Sequence, residues 1–434
     1  MNRVKLFTAL AMACAITGNL FAADIYVSSK GGKNKNAGTK AAPLKNIWKA
    51  LDKAKPGDVI HIAEGKYSGK MSCGWIDMKK PVTLLGGYAK GFDERNPLKY
   101  QTLLRPTNKQ NATKPIFGTL TIQIPNNAKS KTVIDGLIFD HTDANNYHGT
   151  KGKPAGFQEG MLTIPPAKGT KPMPSIDRYM LFAKTDGDLI IRNCLFLNGS
   201  NYAVNVNHFT GNVKIVNNVF IGNRMMACEV NSSNGKPFMV NYEFANNTVL
   251  FTWTRTTEFS DMGYGVRSNR NVVSNIHHNI LGLNCMAGYD NTKGDAKQKK
   301  VTLENNIFFL NKKADVAITI SPNIKFMKVE DEGFEDLGDV DGMESVENNI
   351  ALKDPAIFKN IIDMNYLQAF LSATYTEKVN YDPNSPVNQF RAAFGLNKQG
   401  TIQSKVSMFA NPYPFDSALK FFGAVKDFGA QAIK

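Results

Sequence analysis

Cysteine is scarce, with five residues in 434 and no Cys-x-x-Cys pair. Such wide spacing excludes a zinc ribbon and a dense disulfide scaffold, and Cys73, Cys194, Cys228 and Cys285 are expected to be buried thiols. Long apolar runs are also missing. The candidate over residues 6–16 is too short to span a bilayer, so no transmembrane segment is expected. The three tryptophans, Trp48, Trp75 and Trp253, are scattered, and no stacked-aromatic motif or basic cluster marks a nucleic-acid partner. Acidic residues are few, 37 against 52 Lys and Arg, and the net charge of +15 favours an acidic partner. What is present is 42% hydrophobic residues, enough for a sizeable core, and an Asn content of about a tenth.

Arg3 and Lys5 precede the apolar stretch, and Leu20-Phe21-Ala22-Ala23 follows with small residues. This is the layout of a secretory signal over residues 1–22, cut near Ala22 or Ala23, and its loss leaves a charge of +13. Periplasm, cell surface or medium is therefore the expected location. Cys14 among small residues offers a lesser alternative, lipid attachment, although Ala11 stands where a branched residue is usual.

A phrase of apolar residues around paired polar ones recurs along the chain. It stands at Ile191-Arg192-Asn193-Cys194-Leu195-Phe196, Val216-Asn217-Asn218-Val219-Phe220, Phe244-Ala245-Asn246-Asn247-Thr248-Val249, Ile276-His277-His278-Asn279-Ile280-Leu281 and Leu303-Glu304-Asn305-Asn306-Ile307-Phe308. Flanking copies lie around Gly136 and at Asn348-Asn349. A period of about 24 to 32 residues is too long for a hairpin and suits one coil of a solenoid. Strands stacked on the equivalent strands of the next coil make a parallel sheet. Asn tolerates the left-handed backbone of a tight corner and its amide can bond along the stack, so the Asn pairs read as structural and His278 as a corner substitute.

A second strand aligns between these phrases, at Ala203–Asn207, Ala227–Asn231, Gly263–Arg267 and Ala287–Asn291. Alternation sends Val204, Val206, Cys228, Val230, Tyr264 and Val266 inward. The outward row is then Asn205, Asn207, Glu229, Asn231, Arg267, Tyr289 and Asn291, with Asp290 on the inward register unless a bulge turns it out. Lys184 and His208 stand at matching places beyond their strands, and Asp261 and Arg270 flank the strand of Arg267.

The ends read as covers. Ile47, Ala50, Leu51 and Ala54 have helical spacing and Lys55-Pro56-Gly57-Asp58 stops them, giving an N-terminal capping helix. Residues 351–434 read as a C-terminal covering segment packed on the solenoid of residues 23–350. The acidic stretch from Glu330 to Glu347 lacks EF-hand spacing and reads as a solvated loop. Asp140-His141-Thr142-Asp143 with Asn145-Asn146-Tyr147-His148 could make a loop site, and Trp253 with Phe251 could stack on sugar, although core packing is the default.

With Ile25-Tyr26-Val27-Ser28, Pro56-Gly57-Asp58-Val59-Ile60, Gly65-Lys66-Tyr67 and the Asn-Asn-x-Phe coils, residues 24 to 350 resemble secreted proteins of the pectate-lyase-like superfamily. The resemblance implies an all-β fold, a right-handed parallel β-helix, and right-handed coiling agrees with crossover chirality. It also implies a sugar chain across the outer face of one sheet, yet the superfamily holds lyases, hydrolases, epimerases and proteins without known catalysis. Eliminative cleavage of a uronate polymer needs the carboxylate neutralised and a base for the adjacent C–H. Arg267, Arg270 or Lys184 would neutralise or abstract, and His208 would act as base. Asn205, Asn207, Asn231, Tyr289, Asn291 and Asp261 would hold substrate, and Glu229 with Asn205 and Asn207 offers oxygen ligands for Ca2+. The Gly-Glu and Lys-Ser signatures of calcium-assisted lyases and the paired Asp of pectin hydrolases are absent. The expectation is a monomer acting on an anionic polysaccharide by β-elimination, against a noncatalytic carbohydrate-binding or surface protein.

Overall fold

The computed structural model describes residues 22–70, 74–106, 118–142, 178–253, 263–320, 323–352, 354–374, 384–396 and 412–433. Its strands form a 17-stranded and a 9-stranded sheet in which nearly every ladder is parallel and joins a strand to its counterpart one coil later. The chain is an all-β parallel β-helix. Among the described residues the only antiparallel ladder joins Ala314–Ile320 to Asn323–Met327.

Each coil has three sides. Met226–Ser232 and Val240–Ala245 are the first two of one coil, and the three residues Thr248–Leu250 are the third. In the two preceding coils the first two sides run together as Tyr179–Arg192 and Val204–Val216, and their mutual register shifts between Thr185 and Gly187. The corner before the third side is where the Asn phrase falls, and its two members do different work. Asn193, Asn217, Asn246, Asn305 and Asn348 take positive φ of 51 to 58°, and His278 takes 55° in the same place. A Cβ is strained there and Asn is the residue that tolerates it best after Gly. The following Asn is buried and forms a ladder. The Asn306 side chain donates to Ile276 O (2.9 Å) and Asn349 Oδ1 (3.0 Å), while its own oxygen accepts from Asn279 N (3.1 Å) and Nδ2 (2.9 Å). The same pattern links Asn218 to Asn247 and Asn247 to Asn279.

Inside, Phe139, Phe196 and Phe220 stack at 4.8 Å between centroids, coil on coil. Cys194, Cys228 and Cys285 are buried, and burial pushes the Cys194 and Cys228 thiols up to about 12. Cys73 lies outside the described residues, as does Cys14.

The helix Ile47–Lys53 buries Ile47, Ala50 and Leu51 against the first coils. The acidic stretch is only half the loop its charge suggests. Phe334 and Leu337 drop from it into the main core beside Val346, while the carboxylates stay at the surface. The C-terminal segment lies along the flank. Its helices Met364–Thr374, Pro386–Ala393 and Phe415–Leu419, with the turn after the last, pack Leu367, Phe370, Phe390 and Phe421 on the outward residues of the three-residue strands, including Leu195, Ile221 and Leu250. Trp253 and Phe251 are buried in that interface, and the Trp253 indole donates to Gly222 O, so neither offers a face to sugar. No helix of the described residues is long and apolar enough to cross a membrane.

Candidate functional site

The first side of the coil presents two outward rows. One runs Asp77, Thr121, Phe182, Asn205, Glu229, Arg267, Asp290 and Ala317 by direct strand pairing. The other carries Gln123, Lys184, Asn207 and Asn231. Stacked strands place neighbours in a row about 4.8 Å apart, so residues 20 to 40 apart in sequence meet on one face.

This register corrects the expected row at its far end. Val266 pairs with Tyr289 and Arg267 with Asp290, so Asp290 faces outward and Tyr289 and Asn291 face in. Tyr289 is 0% exposed in the core and Asn291 is 1% exposed, and neither can bind substrate. A slip of one residue had exchanged the faces, the usual outcome of a period of two. Lys184 pairs with Asn207, and His208 with Thr185 rather than with Lys184.

His208 is fully buried. Its Nε2 donates to Gly187 O (2.9 Å), because a carbonyl can only accept, and Nδ1 accepts from the Thr185 hydroxyl (2.9 Å). Burial holds its pKa below the ordinary value against the pull of the Gly187 bond. It is a neutral brace at the register shift, and no substrate proton reaches it.

Arg267 is 2% exposed. Its Nε donates to Asp290 Oδ2, NH1 stands 3.5 Å from Glu229 Oε1, and its guanidinium carbon lies 5.2 Å from the Tyr264 ring centroid. Burial opposes its charge, but the Asp290 and Glu229 carboxylates outweigh burial and raise its pKa. Burial likewise raises Glu229, with Arg267 pulling the other way. The three charges are a buried outer-face network, so Arg267 is a support beneath the surface and not a group that meets substrate.

Above this floor opens a cleft of about 440 Å3 lined by Tyr179, Phe182, Asn205, Asn207, Asn231, Ser232, Asn269 and Arg270. These residues come from four successive coils. The amides are fixed to each other and to the floor. Asn207 Nδ2 donates to Asn205 Oδ1 (3.0 Å), and Asn205 Nδ2 and Asn269 Nδ2 each donate to a different Glu229 oxygen at 3.0 Å. Asn269 also donates to Asn231. Tyr179 and Phe182 stack at 5.5 Å on one flank, with Tyr202 edge-on to Tyr179 at 5.7 Å. Arg270 is exposed at the other flank, and exposed Lys184 lies 5.8 Å from the Phe209 ring centroid. The structure thus brings Asn205, Asn207, Asn231 and Arg270 to one cleft, whereas Asp261 lies outside the described residues. Tyr179, Phe182, Ser232 and Asn269 escaped the sequence reading. Alternation from buried Leu181 would have flagged Phe182.

The residues proposed for Ca2+ do not fit that ion. Both Glu229 oxygens receive N–H groups, the Arg267 guanidinium stands beside them, and the Asn207 and Asn205 amides face each other. Calcium wants six to eight oxygens and no adjacent cation. Among the described residues no three His, Cys, Asp or Glu are grouped to hold a metal. The loop site around Asp140 and His141 also dissolves. Asp140 is buried and ion-paired with Arg105, and buried His141 bonds Thr119 (3.0 Å) and Ser200 (3.1 Å). Residues 143–148 lie outside the described set.

Residues 30–151 match a family described as "Protein of unknown function (DUF1565)". No curated protein matches the chain. Among solved structures it is similar to pectate lyase Pel9A (15% identity, TM-score 0.38, 77% of this chain and 63% of that one). It is similar also to XylC in complex with xylose (12%, TM-score 0.34, 68% and 63%) and to a rhamnogalacturonan lyase (11%, TM-score 0.31, 94% and 100%). The chain thus spans 63% of the length of XylC and of Pel9A. The strand register itself shows the chain to be a parallel β-helix.

Proposed function

We propose that the protein is carbohydrate-active and takes an anionic, uronate-containing polysaccharide across the outer face of its first side. The cleft carries this reading. Four asparagine amides, a pair of stacked rings and one exposed guanidinium converge there from four successive coils. The rings give a sugar ring an apolar face, the amides match hydroxyls with donors and acceptors, and Arg270 pairs a carboxylate bidentately. Four strands at about 4.8 Å cover roughly 14 Å, room for a stretch of chain and not a single sugar.

Of the chemistries open to such a groove, β-elimination suits the exposed groups best. Hydrolysis needs two carboxyl groups at a set separation, and among the described residues no carboxylate lines the cleft. Elimination needs a cation on the substrate carboxylate and a base for the neighbouring C–H, roles that fall to Arg270 and Lys184 once Arg267 and His208 are removed. The C–H proton passes to the Lys184 amine, the C–H electron pair forms the new C=C bond, and the glycosidic C–O bond breaks with its electron pair going to the leaving oxygen, which takes a proton from water.

A second reading, retention of polysaccharide without turnover, is favoured by the commitment of Glu229, Arg267 and Asp290 to one another. Incubation with alginate, pectate and glycosaminoglycans, followed by ultraviolet absorbance of unsaturated uronate ends and by affinity electrophoresis, separates the two. Absorbance supports elimination, and retardation without absorbance supports retention. Neither signal with any uronate polymer overturns the proposal.

A further inference from the structure

Asp58 is a buried carboxylate, 5% exposed, with no cationic side chain paired to it among the described residues. Its oxygens take two backbone N–H groups, Lys55 N on Oδ2 (2.7 Å) and Ala23 N on Oδ1 (2.9 Å). Carboxylates so far from water ordinarily have a counter-charge. The Lys53 amine is held by Asn36 O (2.9 Å) and does not supply it. The missing charge has a ready source, because Ala23 N is the atom that becomes an ammonium if the chain is cut before it.

We propose that the protein is processed between Ala22 and Ala23 and that the new α-ammonium is the counter-ion of Asp58. Both residues are exposed, so the bond lies at the surface. Ala23 is also the first residue that the sheet holds, since its carbonyl accepts from Val59 N (2.9 Å) just ahead of the strand Asp24–Val27. Beside it is an open space of about 330 Å3, bordered by Ala23, Asp24, Lys53, Lys55 and Asp58. Water there can satisfy the two ammonium protons that Asp58 does not take. Hydrolysis of the Ala22–Ala23 amide adds one water, its OH going to the Ala22 carboxyl and its proton to the Ala23 nitrogen. The cut converts a neutral donor into a charge-assisted one without moving an atom of the contact. A cut one residue later would remove both Ala23 bonds and leave Asp58 with the Lys55 N–H alone.

The test starts from the full chain exported by a secreting host, with the mature amino terminus read by intact mass. A start at Ala23 is expected, and a start at Asp24 or elsewhere overturns the inference. In the Ala23-start protein, acylation of the α-amine at pH 7 should run about fivefold slower than in Asp58→Asn, because pairing raises the amine above its usual value of about 8. Equal rates overturn it. Should Asp58→Asn not fold, a protein with one Gly ahead of Ala23 keeps Asp58 and loses the charge at that nitrogen. Its melting temperature should fall by about 2 °C at neutral pH. A folded-state amine pKa above the unfolded value gives stability that is full below about pH 8 and lost as pH rises through the folded value, so the gap should close in alkali. No gap at pH 7 overturns the proposal.

Discussion

Two arginines three residues apart carry opposite expectations. Arg267 is buried between Asp290 and Glu229, so Arg267→Ala strands two carboxylates away from water and should cost about 3–5 kcal/mol in chemical denaturation. Arg270 is exposed at the cleft, and Arg270→Ala should leave the unfolding transition in place while weakening uronate-polymer binding about tenfold, ~1.4 kcal/mol, in affinity electrophoresis. An unchanged affinity would move the anion site elsewhere. His141 sets a pH limit. Burial, with Arg178 adding to it, lowers its pKa from the ordinary 6.5 to about 3, so the fold prefers the neutral ring. Its contribution is full above about pH 6.5 and falls as pH drops toward 3, by ~1.4 kcal/mol per unit. His141→Gln should flatten the acid limb of stability against pH by close to one proton, and an unaltered slope would contradict this.

At the scale of the element, the two residues of one Asn phrase should not be equivalent. Asn306 is a rung, and Asn306→Ala leaves Ile276 O and Asn279 N without their partners in a dry corner, at roughly 2–4 kcal/mol. Asn305 is needed for its backbone, φ 53°, so Asn305→Ala should cost about 1 kcal/mol and Asn305→Gly close to nothing. Urea titration of the three variants checks the order. The phrase was readable from sequence because a corner and a ladder repeat at every coil and leave the same residue types behind. A second ladder, Asn284 to Asn311 at 2.8 Å, was not, since it serves fewer coils. The slip at Tyr289 had another cause. Alternation fixes which residues share a face but not where the next strand begins, and the strand around Tyr289 has apolar and small residues on both registers. Opposite charge was the available clue, because only the true alignment sets Asp290 beside Arg267. The cleft was half legible for the same reason: Asn205, Asn207 and Asn231 lie in strands with clear alternation, whereas Tyr179 and Asn269 sit at strand margins where periodicity gives no face.

The whole molecule depends on a division between its sheets. The first side of the coil keeps a polar outer face, open as the cleft, while the three-residue strands bury both faces. Phe196 and Phe220 point into the solenoid, and Leu195, Leu197, Val219 and Ile221 point out beneath Phe370, Tyr366 and Phe421 of the C-terminal segment. Strands that are apolar on both faces need a second layer, since an exposed apolar band of this length drives association. Removal of residues 354–434 should therefore expose that band along at least four coils while leaving every Asn rung and the cleft in place. The truncated protein should bind ANS and aggregate, with its far-ultraviolet β signal retained. Leu195→Lys with Ile221→Lys should restore its solubility, because both lie on the uncovered face and reach water there. In the full chain the same pair should be destabilising by several kcal/mol, for the two amines would then be buried under aromatic rings. A truncated chain that stays monomeric and free of ANS, or a double Lys variant as stable as the intact protein, would show that the C-terminal helices rest on the sheet without holding it.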